Sequence, residues 1–160
     1  MTCAHRYPAG PAGVSHGGFT LIELMVVMTV LAIMMAVGVP SFKSFVAGQK
    51  VKTASNDLMM ALVLARSEAI KRNTDVTIAP DTADVWIGGW TVKAGTITVV
   101  QQQALSGVTI TKAPSTVTYK SNGRPDAGAN LYFEVTGNPS VKCVRVDLTG
   151  IPSNQSVACP

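Results

Sequence analysis

The stretch SHGGFTLIELMVVMTVLAIMMAVGVPSF, residues 15–42, decides how the rest of the chain is interpreted. From Phe19 onward it is apolar for about twenty residues, which is the length that an α-helix needs to cross a bilayer. One carboxylate, Glu23, lies near the start of this run. An isolated charge deep in lipid costs about 2.5–3.5 kcal/mol. Any interpretation of the segment therefore has to give Glu23 a partner.

Three kinds of segment have this composition. A secretory signal peptide could be cleaved near Ala36 and Gly38, but here the helical pattern continues past Pro40. A plain signal anchor leaves Glu23 unpaired. A segment whose N-terminus is created at Phe19 places a free α-amine one helical turn from Glu23. That amine can neutralise the carboxylate, within one chain or between neighbouring chains.

The remaining composition excludes several classes of active site. The chain has 160 residues, room for one modest domain beside the apolar segment, and a mildly basic net charge of +4. Both histidines, His5 and His16, precede Phe19. A chain that begins at Phe19 thus lacks the base of Ser-His or Cys-His nucleophiles and the usual zinc ligands. Asp81 and Asp84 have no EF-hand frame around them and indicate a solvated turn. We expect no enzyme activity, metal or cofactor.

The cysteines indicate the compartment. Cys3 precedes Phe19, which leaves Cys143 and Cys159. An even pair downstream of a membrane segment is typical of an exported protein with a disulfide. Closing a loop of about 15 residues contributes about 3 kcal/mol in the chain-entropy model. The alternative is two unpaired, buried thiols in a cytosolic domain.

Helical periodicity resumes after Pro40 and ends near Asn73. Apolar residues recur every three or four positions and form one stripe, which predicts an amphipathic helix packed on a sheet. A kink or loosening is expected at Gly38–Pro40, because proline removes a helical hydrogen bond. The members of the stripe are Val51, Ala54, Leu58, Ala61 or Leu62, Ala65 and Ala69.

From Thr74 onward the pattern changes to strands. Gly88-Gly89, between Ile87 and Trp90, predicts a hairpin turn. Glycine, proline and asparagine separate the other runs. The strand-like runs are DVTIAP, DVWIGGWTV, TITVVQQQ, GVTITK, STVTYKS, NLYFEV and VKCVRVDL.

The start of the apolar run carries a recognisable motif. GFTLIEL, from Gly18 to Leu24, resembles the cleavage and methylation motif of type IV prepilins and type II secretion pseudopilins. The resemblance continues to Pro40, where such proteins often carry a kinking proline. It implies that a prepilin peptidase cuts between Gly18 and Phe19 and methylates the new amine. Glu23 would then pair with the N-terminus of an adjacent subunit during assembly.

Three further stretches extend the resemblance through the chain. WIGGW (Trp86 to Trp90), RSEAIKR (Arg66 to Arg72) and SNGRP (Ser121 to Pro125) are similar to elements of the GspH/FimT group of minor pilins and pseudopilins. The group implies an α+β, type IV pilin-like fold with a long N-terminal helix packed on an antiparallel β-sheet head. The expected organisation is a leader, 1–18; a transmembrane and filament-core helix, 19–39; an amphipathic helix, 40–73; and a head, 74–160.

The same resemblance implies a role in a filament. The subunit would be anchored in the bacterial inner membrane with its head in the periplasm, and would join the tip of a type IV pilus or type II secretion pseudopilus. There it would help to initiate assembly with other major and minor pilins and an inner-membrane assembly platform. Charge alone favours the opposite orientation, since Lys43, Lys50 and Lys52 follow the apolar run and only Arg6 precedes it. A start at codon 14 would give a shorter leader.

An alternative role is DNA capture in natural transformation, as in some FimT proteins. Their basic turn is similar to the stretch that begins with Gly123 and Arg124, although Asp126 replaces its second arginine. Clustered cations are what phosphate binding needs. Lys142 and Arg145 are an odd number of residues apart and point to opposite faces of a regular strand. The possible DNA contacts are Lys120, Arg124, Lys142 and Arg145.

Two other side-chain groups have simpler interpretations. Trp86 and Trp90 could form a carbohydrate platform, but a core or cross-strand aromatic role is favoured. Glu68 and Arg72 are one helical turn apart, as in an ordinary surface ion pair.

Overall fold

The computed structural model describes residues 18–160, so the predicted leader, apart from Gly18, lies outside the described residues. The chain divides between Val39 and Pro40 into two compact units. Within these described residues, one helix and eight strands follow one another: α1 (Leu21–Arg72), β1 (Val76–Thr82), β2 (Val85–Ala94), β3 (Ile97–Gln102), β4 (Thr109–Thr111), β5 (Val117–Tyr119), β6 (Leu131–Gly137), β7 (Ser140–Val146) and β8 (Pro152–Gln155).

Pro40 lies inside helix α1, and the kink expected there stays a prediction. The helix ends where Asn73 takes a left-handed conformation, with φ of 50°. The N–H of Thr74 then bonds to the carbonyl of Ala69 at 3.2 Å, which satisfies one of the last helical carbonyls. The predicted apolar stripe is confirmed, since each of its members is buried: Val51, Ala54, Leu58, Ala61, Leu62, Ala65 and Ala69.

The strands form two antiparallel sheets of four strands each. The first has the order β3-β2-β1-β5 and the second β4-β6-β7-β8. The α+β fold with a long helix on antiparallel strands is confirmed. The strands do not form one sheet, and β8 has no counterpart among the predicted runs.

The core fills the space between the second half of α1 and the sheets. Trp86 and Trp90 are each 1% exposed, and the Trp86 ring meets Phe133 edge-on at a centroid distance of 4.8 Å. The indole N–H of Trp86 donates to the Pro114 carbonyl at 2.7 Å, which satisfies its only polar group. The core role predicted for both tryptophans is confirmed.

The hairpin turn predicted at Gly88-Gly89 is wrong. Strand β2 runs through both glycines, and the turn between β1 and β2 lies instead at Asp84, whose φ is 59°. Gly89 has a φ of 100°, and a Cβ atom there would stand 2.3 Å from the carbonyl oxygen of Gln102. Glycine at this position therefore permits a close approach of β2 and β3, because it has no Cβ atom, and it also adopts the positive φ without strain.

Candidate functional site

The described residues of the first compact unit, 18–39, present an apolar surface. Phe19 is 80% exposed, and the other large apolar side chains described up to Val39 are exposed as well. By length and composition α1 is able to cross a membrane. In water such a surface would carry a large free-energy cost, so it favours contact with lipid or with the apolar surface of another protein.

Glu23 has a partner even before any cleavage at Phe19. The Thr20 N–H and hydroxyl both donate to Glu23 Oε2 at 3.3 Å, and the Glu23 N–H donates to Thr20 Oγ1 at 3.3 Å. Such reciprocal bonds form a capping box, which satisfies donors at a helix N-terminus. The T-x-x-E spacing is visible in the sequence but was missed, so a freed amine is not the only available partner of Glu23.

At least one of the four cations predicted to contact DNA is paired with acidic side chains. Lys120 Nζ lies 3.0 Å from carboxylate oxygens of both Asp75 and Asp126. Asp126 therefore disfavours DNA binding in two ways: it replaces the second arginine of the basic turn, and it neutralises the charge of Lys120. Arg124 lies in a tight turn, where its N–H bonds to the Asn122 side chain at 3.0 Å.

The other two candidate cations belong to β7. Lys142 Nζ bonds to Ser156 Oγ at 3.0 Å. In the antiparallel register Lys142 is paired with Val135, and Arg145 is paired with Tyr132. Because side chains alternate along a strand, the two cations lie on opposite sides of the second sheet. Within residues 18–160 no hydrogen bond links either of them to Lys120 or Arg124.

Arg66 connects two of the stretches that carry the family resemblance. Its Nε donates to the Gly123 carbonyl at 3.0 Å, and its guanidinium also reaches the Thr149 carbonyl at 3.4 Å. Gly123 has a φ of 76°, and a Cβ there would stand 2.6 Å from Ile70. The RSEA and SNGRP stretches therefore meet in space, and their contact positions the turn against α1.

The C-terminus is held by a covalent bond and by an ionic contact. Cys143 and Cys159 form a disulfide, with a Cα–Cα distance of 5.1 Å. Glu134 Oε2 accepts the Cys159 N–H at 2.8 Å and lies 3.2 Å from Lys112 Nζ. Lys112 also donates to the Cys159 carbonyl at 2.6 Å. We call Lys112, Glu134 and Cys159 the C-terminal clasp.

The C-terminal clasp gives the head an acid-sensitive contact. Hydrogen bonding from the Cys159 N–H, followed by that from Lys112, lowers the pKa of Glu134 below its ordinary 4.5. A group with a lowered folded-state pKa stabilises the fold above its unfolded pKa and loses that contribution as pH falls. We expect Glu134→Gln to lower the free energy of unfolding of the head at neutral pH. Below pH 4.5 the free energy of unfolding should fall less steeply with pH in this variant than in the wild type.

Urea unfolding of the full chain in detergent at a series of pH values measures this effect. The matched control is Asp84→Asn, since Asp84 is an exposed acid in the β1–β2 turn and asparagine tolerates the same positive φ. Its curve should follow the wild type. Acid curves of equal slope for wild type and Glu134→Gln would contradict the role given to the clasp.

Other acids have structural partners. Asp81 accepts bonds from Thr91 and from Gln101, the latter at 3.1 Å. Glu68 and Arg72 do pair, but Glu68 is only 8% exposed, so the prediction of a surface pair is wrong for the glutamate. Within residues 18–160 no three His, Cys, Asp or Glu side chains are grouped as metal ligands.

Comparisons with known proteins agree with the fold and the motif. The family model described as Type II transport protein GspH matches residues 54–150, and the model described as Prokaryotic N-terminal methylation motif matches residues 15–39. The chain is 28% identical over 108 residues to Prepilin peptidase-dependent protein D of Escherichia coli (strain K12), covering 61% of this chain and 71% of that protein.

Solved structures share the fold at low identity. Two crystal forms of the type IV minor pilin FimU of Pseudomonas aeruginosa (strain PAO1) match with TM-scores of 0.60 and 0.58, at 18% and 17% identity. The matches cover 68% and 70% of this chain and 96% and 90% of the FimU chains. Because the GspH model alone covers more than half of the sequence, the chain belongs to the GspH family of type IV minor pilins and pseudopilins, which are structural subunits and not enzymes.

Proposed function

We propose that the chain is a minor filament subunit that helps to initiate assembly at or near the tip of a type IV pilus or a type II secretion pseudopilus. A prepilin peptidase removes residues 1–18 and methylates Phe19. Residues 19–39 anchor the subunit in the inner membrane and then enter the filament core. The helix of residues 40–73 carries the head, 74–160, on the periplasmic side.

The single observation that supports this proposal most is the first compact unit. Its apolar side chains are exposed along a continuous helix, and the methylation-motif model matches the same region. A permanent anchor would need only lipid around it. Here the apolar helix follows a peptidase motif and precedes a folded head. Such a helix can leave the lipid and pack against the helices of neighbouring subunits.

Glu23 supplies the recognition element in this scheme. Before cleavage its carboxylate is satisfied by Thr20 in the capping box. After cleavage the N-terminal amine of an adjacent subunit becomes an alternative partner, and a pair of opposite charges in a low-dielectric setting is stronger than hydrogen bonds from the uncharged Thr20. The exchange would set the axial register of the incoming subunit.

An in-frame deletion strain tests the proposed function. Surface pili, DNA uptake and exoprotein release are measured in the same cultures, with the intact gene restored as the control. Loss of pili with normal secretion assigns the subunit to a pilus, and loss of secretion with normal pili assigns it to a pseudopilus. Loss of DNA uptake alone, with pili retained, would favour DNA capture. No change in any of the three would contradict the proposal.

A further inference from the structure

Strand β3 is an edge strand that lacks most of the usual protection against pairing. It forms one edge of the first sheet and has six residues, without proline and without charge. Proteins usually blunt edges by shortening, prolines, charges or covering segments. On β3 the only such device in the described head is a bulge at Val99, where the register with β2 shifts.

The other three edges of the two sheets are blunted. Strands β4 and β5 have three residues each, and β8 begins with Pro152. The outer side of β5 is also covered, since the Asp126 N–H bonds to the Thr118 carbonyl at 2.7 Å. Because protection is present at three edges and nearly absent at the fourth, β3 is available for a partner strand.

The sequence around β3 favours strand pairing. No charged residue occurs between Lys93 and Lys112. The strand itself reads ITVVQQ, and β-branched residues favour extended backbone. An uncharged edge of this length pairs readily with another chain.

A groove of about 200 Å³ lies beside the second half of this edge. It is lined by Met60 and Leu64 from α1 and by Val100 from β3. Met60 is 70% exposed although it is a large apolar side chain. The single charged residue that lines the groove is Asp57, which has no ion-pair partner within residues 18–160.

We propose that β3 and this groove bind an extended segment of another filament subunit, which adds a fifth strand to the first sheet. The inference rests on the proposed function, because the partner is a filament subunit. The segment is apolar at alternate positions, so that one side chain enters the groove, and it carries a lysine or arginine that pairs with Asp57. Main-chain bonds supply affinity in such complexes, and the alternate side chains supply specificity.

Photocrosslinking in cells that assemble filaments tests the inference. The full-length chain carries p-benzoylphenylalanine at Thr98 on β3, at Thr109 on the short edge strand β4, or at Leu24 in the apolar segment; all three positions are exposed. Crosslinked peptides are identified by mass spectrometry. We expect position 98 to join an extended, alternately apolar segment of another pilin or pseudopilin, in several-fold higher yield than position 109.

A pair of charge variants separates the groove from the surrounding surface. Met60→Lys places a cation beside Asp57, whereas Val63→Lys places the same cation at an exposed apolar position of α1 that does not line the groove. The crosslink from position 98 should fall at least about fivefold in Met60→Lys and persist in Val63→Lys, because only the first repels the partner's cation.

Several outcomes would overturn the inference. The inference fails if the crosslinking yield from position 98 is no higher than the yield from position 109. It also fails if both lysine variants lose the crosslink equally, or if position 98 crosslinks to a second copy of this chain. If crosslinks from Leu24 to other subunits persist in those cases, the proposed function stands and only the β3 site falls. Loss of the Leu24 crosslinks as well would remove both.

Discussion

Replacing Glu23 with alanine is expected to reduce incorporation of the subunit into filaments at least about tenfold while leaving cleavage after Gly18 intact. Removing one partner of a desolvated charge pair costs about 3–5 kcal/mol, because the remaining charge is left unpaired. When Glu23 is replaced by alanine, that charge is the N-terminal amine of the adjacent subunit. The readout is the amount of processed chain that co-purifies with filaments, relative to the amount of processed chain in the membrane. Normal co-purification would contradict the pairing.

Two further variants separate the charge of Glu23 from its capping role. Glu23→Gln keeps an oxygen that can accept bonds in a capping box but removes the charge. It should fail in assembly as Glu23→Ala does. Thr20→Ala removes the capping hydroxyl at a cost of about 1 kcal/mol to the helix and keeps the charge, so it should still assemble. The reverse pattern would show that the helix cap, and not the ion pair, is what assembly requires.

Removing the disulfide is expected to have the largest effect on the stability of the head. The bond joins residues 16 apart in sequence and ties the segment after β8 to β7. Cys143→Ser combined with Cys159→Ser should lower the free energy of unfolding by about 3 kcal/mol, the chain-entropy contribution of a loop of this length. Denaturation of the full chain in detergent, with and without reductant, measures the change.

Cys3→Ser is the matched control for the cysteine variants. If residues 1–18 are removed, the mature Cys3→Ser protein is identical to the wild type and must unfold at the same denaturant concentration. Alkylation provides a second measurement, because both remaining thiols should resist modification until reductant is added. Modification of Cys143 and Cys159 without prior reduction would contradict the bridge in the cell.

The helical part of the fold could be predicted from the sequence because its signal is periodic. Apolar residues recur every three or four positions from Val51 to Ala69, and that spacing places them all on one face of a helix. The tryptophans were equally predictable, since large aromatic side chains in strands rarely find enough cover outside a core.

The features that were not predicted depend on contacts between distant residues. The Gly88-Gly89 pair predicts a turn because glycine is common in turns. The close approach of Gln102 that requires a glycine at position 89 comes from another strand and is not visible in the local sequence. Strand β8 has no alternating pattern. It is held by antiparallel pairing with β7 and by Asn154, whose amide donates to Ser55 Oγ on α1 at 3.1 Å. The partners of Lys120 lie 45 residues before it and a few residues after it, so its neutralisation could not be read from a basic cluster.

The capping box was in principle predictable. Thr20 and Glu23 have the spacing of a helix start, but the cost of a charge in lipid favours a partner of opposite charge, and that criterion predicts only the amine of Phe19. The two partners are compatible in the proposed scheme, because Thr20 would act before processing and the N-terminal amine within the assembled filament.

Processing and incorporation are tested most directly by mass spectrometry of the N-terminal peptide of this chain, taken from purified filaments. We expect a peptide that begins at Phe19 and carries a methyl group on its α-amine, with no trace of residues 1–18. A chain that is absent from the filaments, or that begins at any residue other than Phe19, would contradict it.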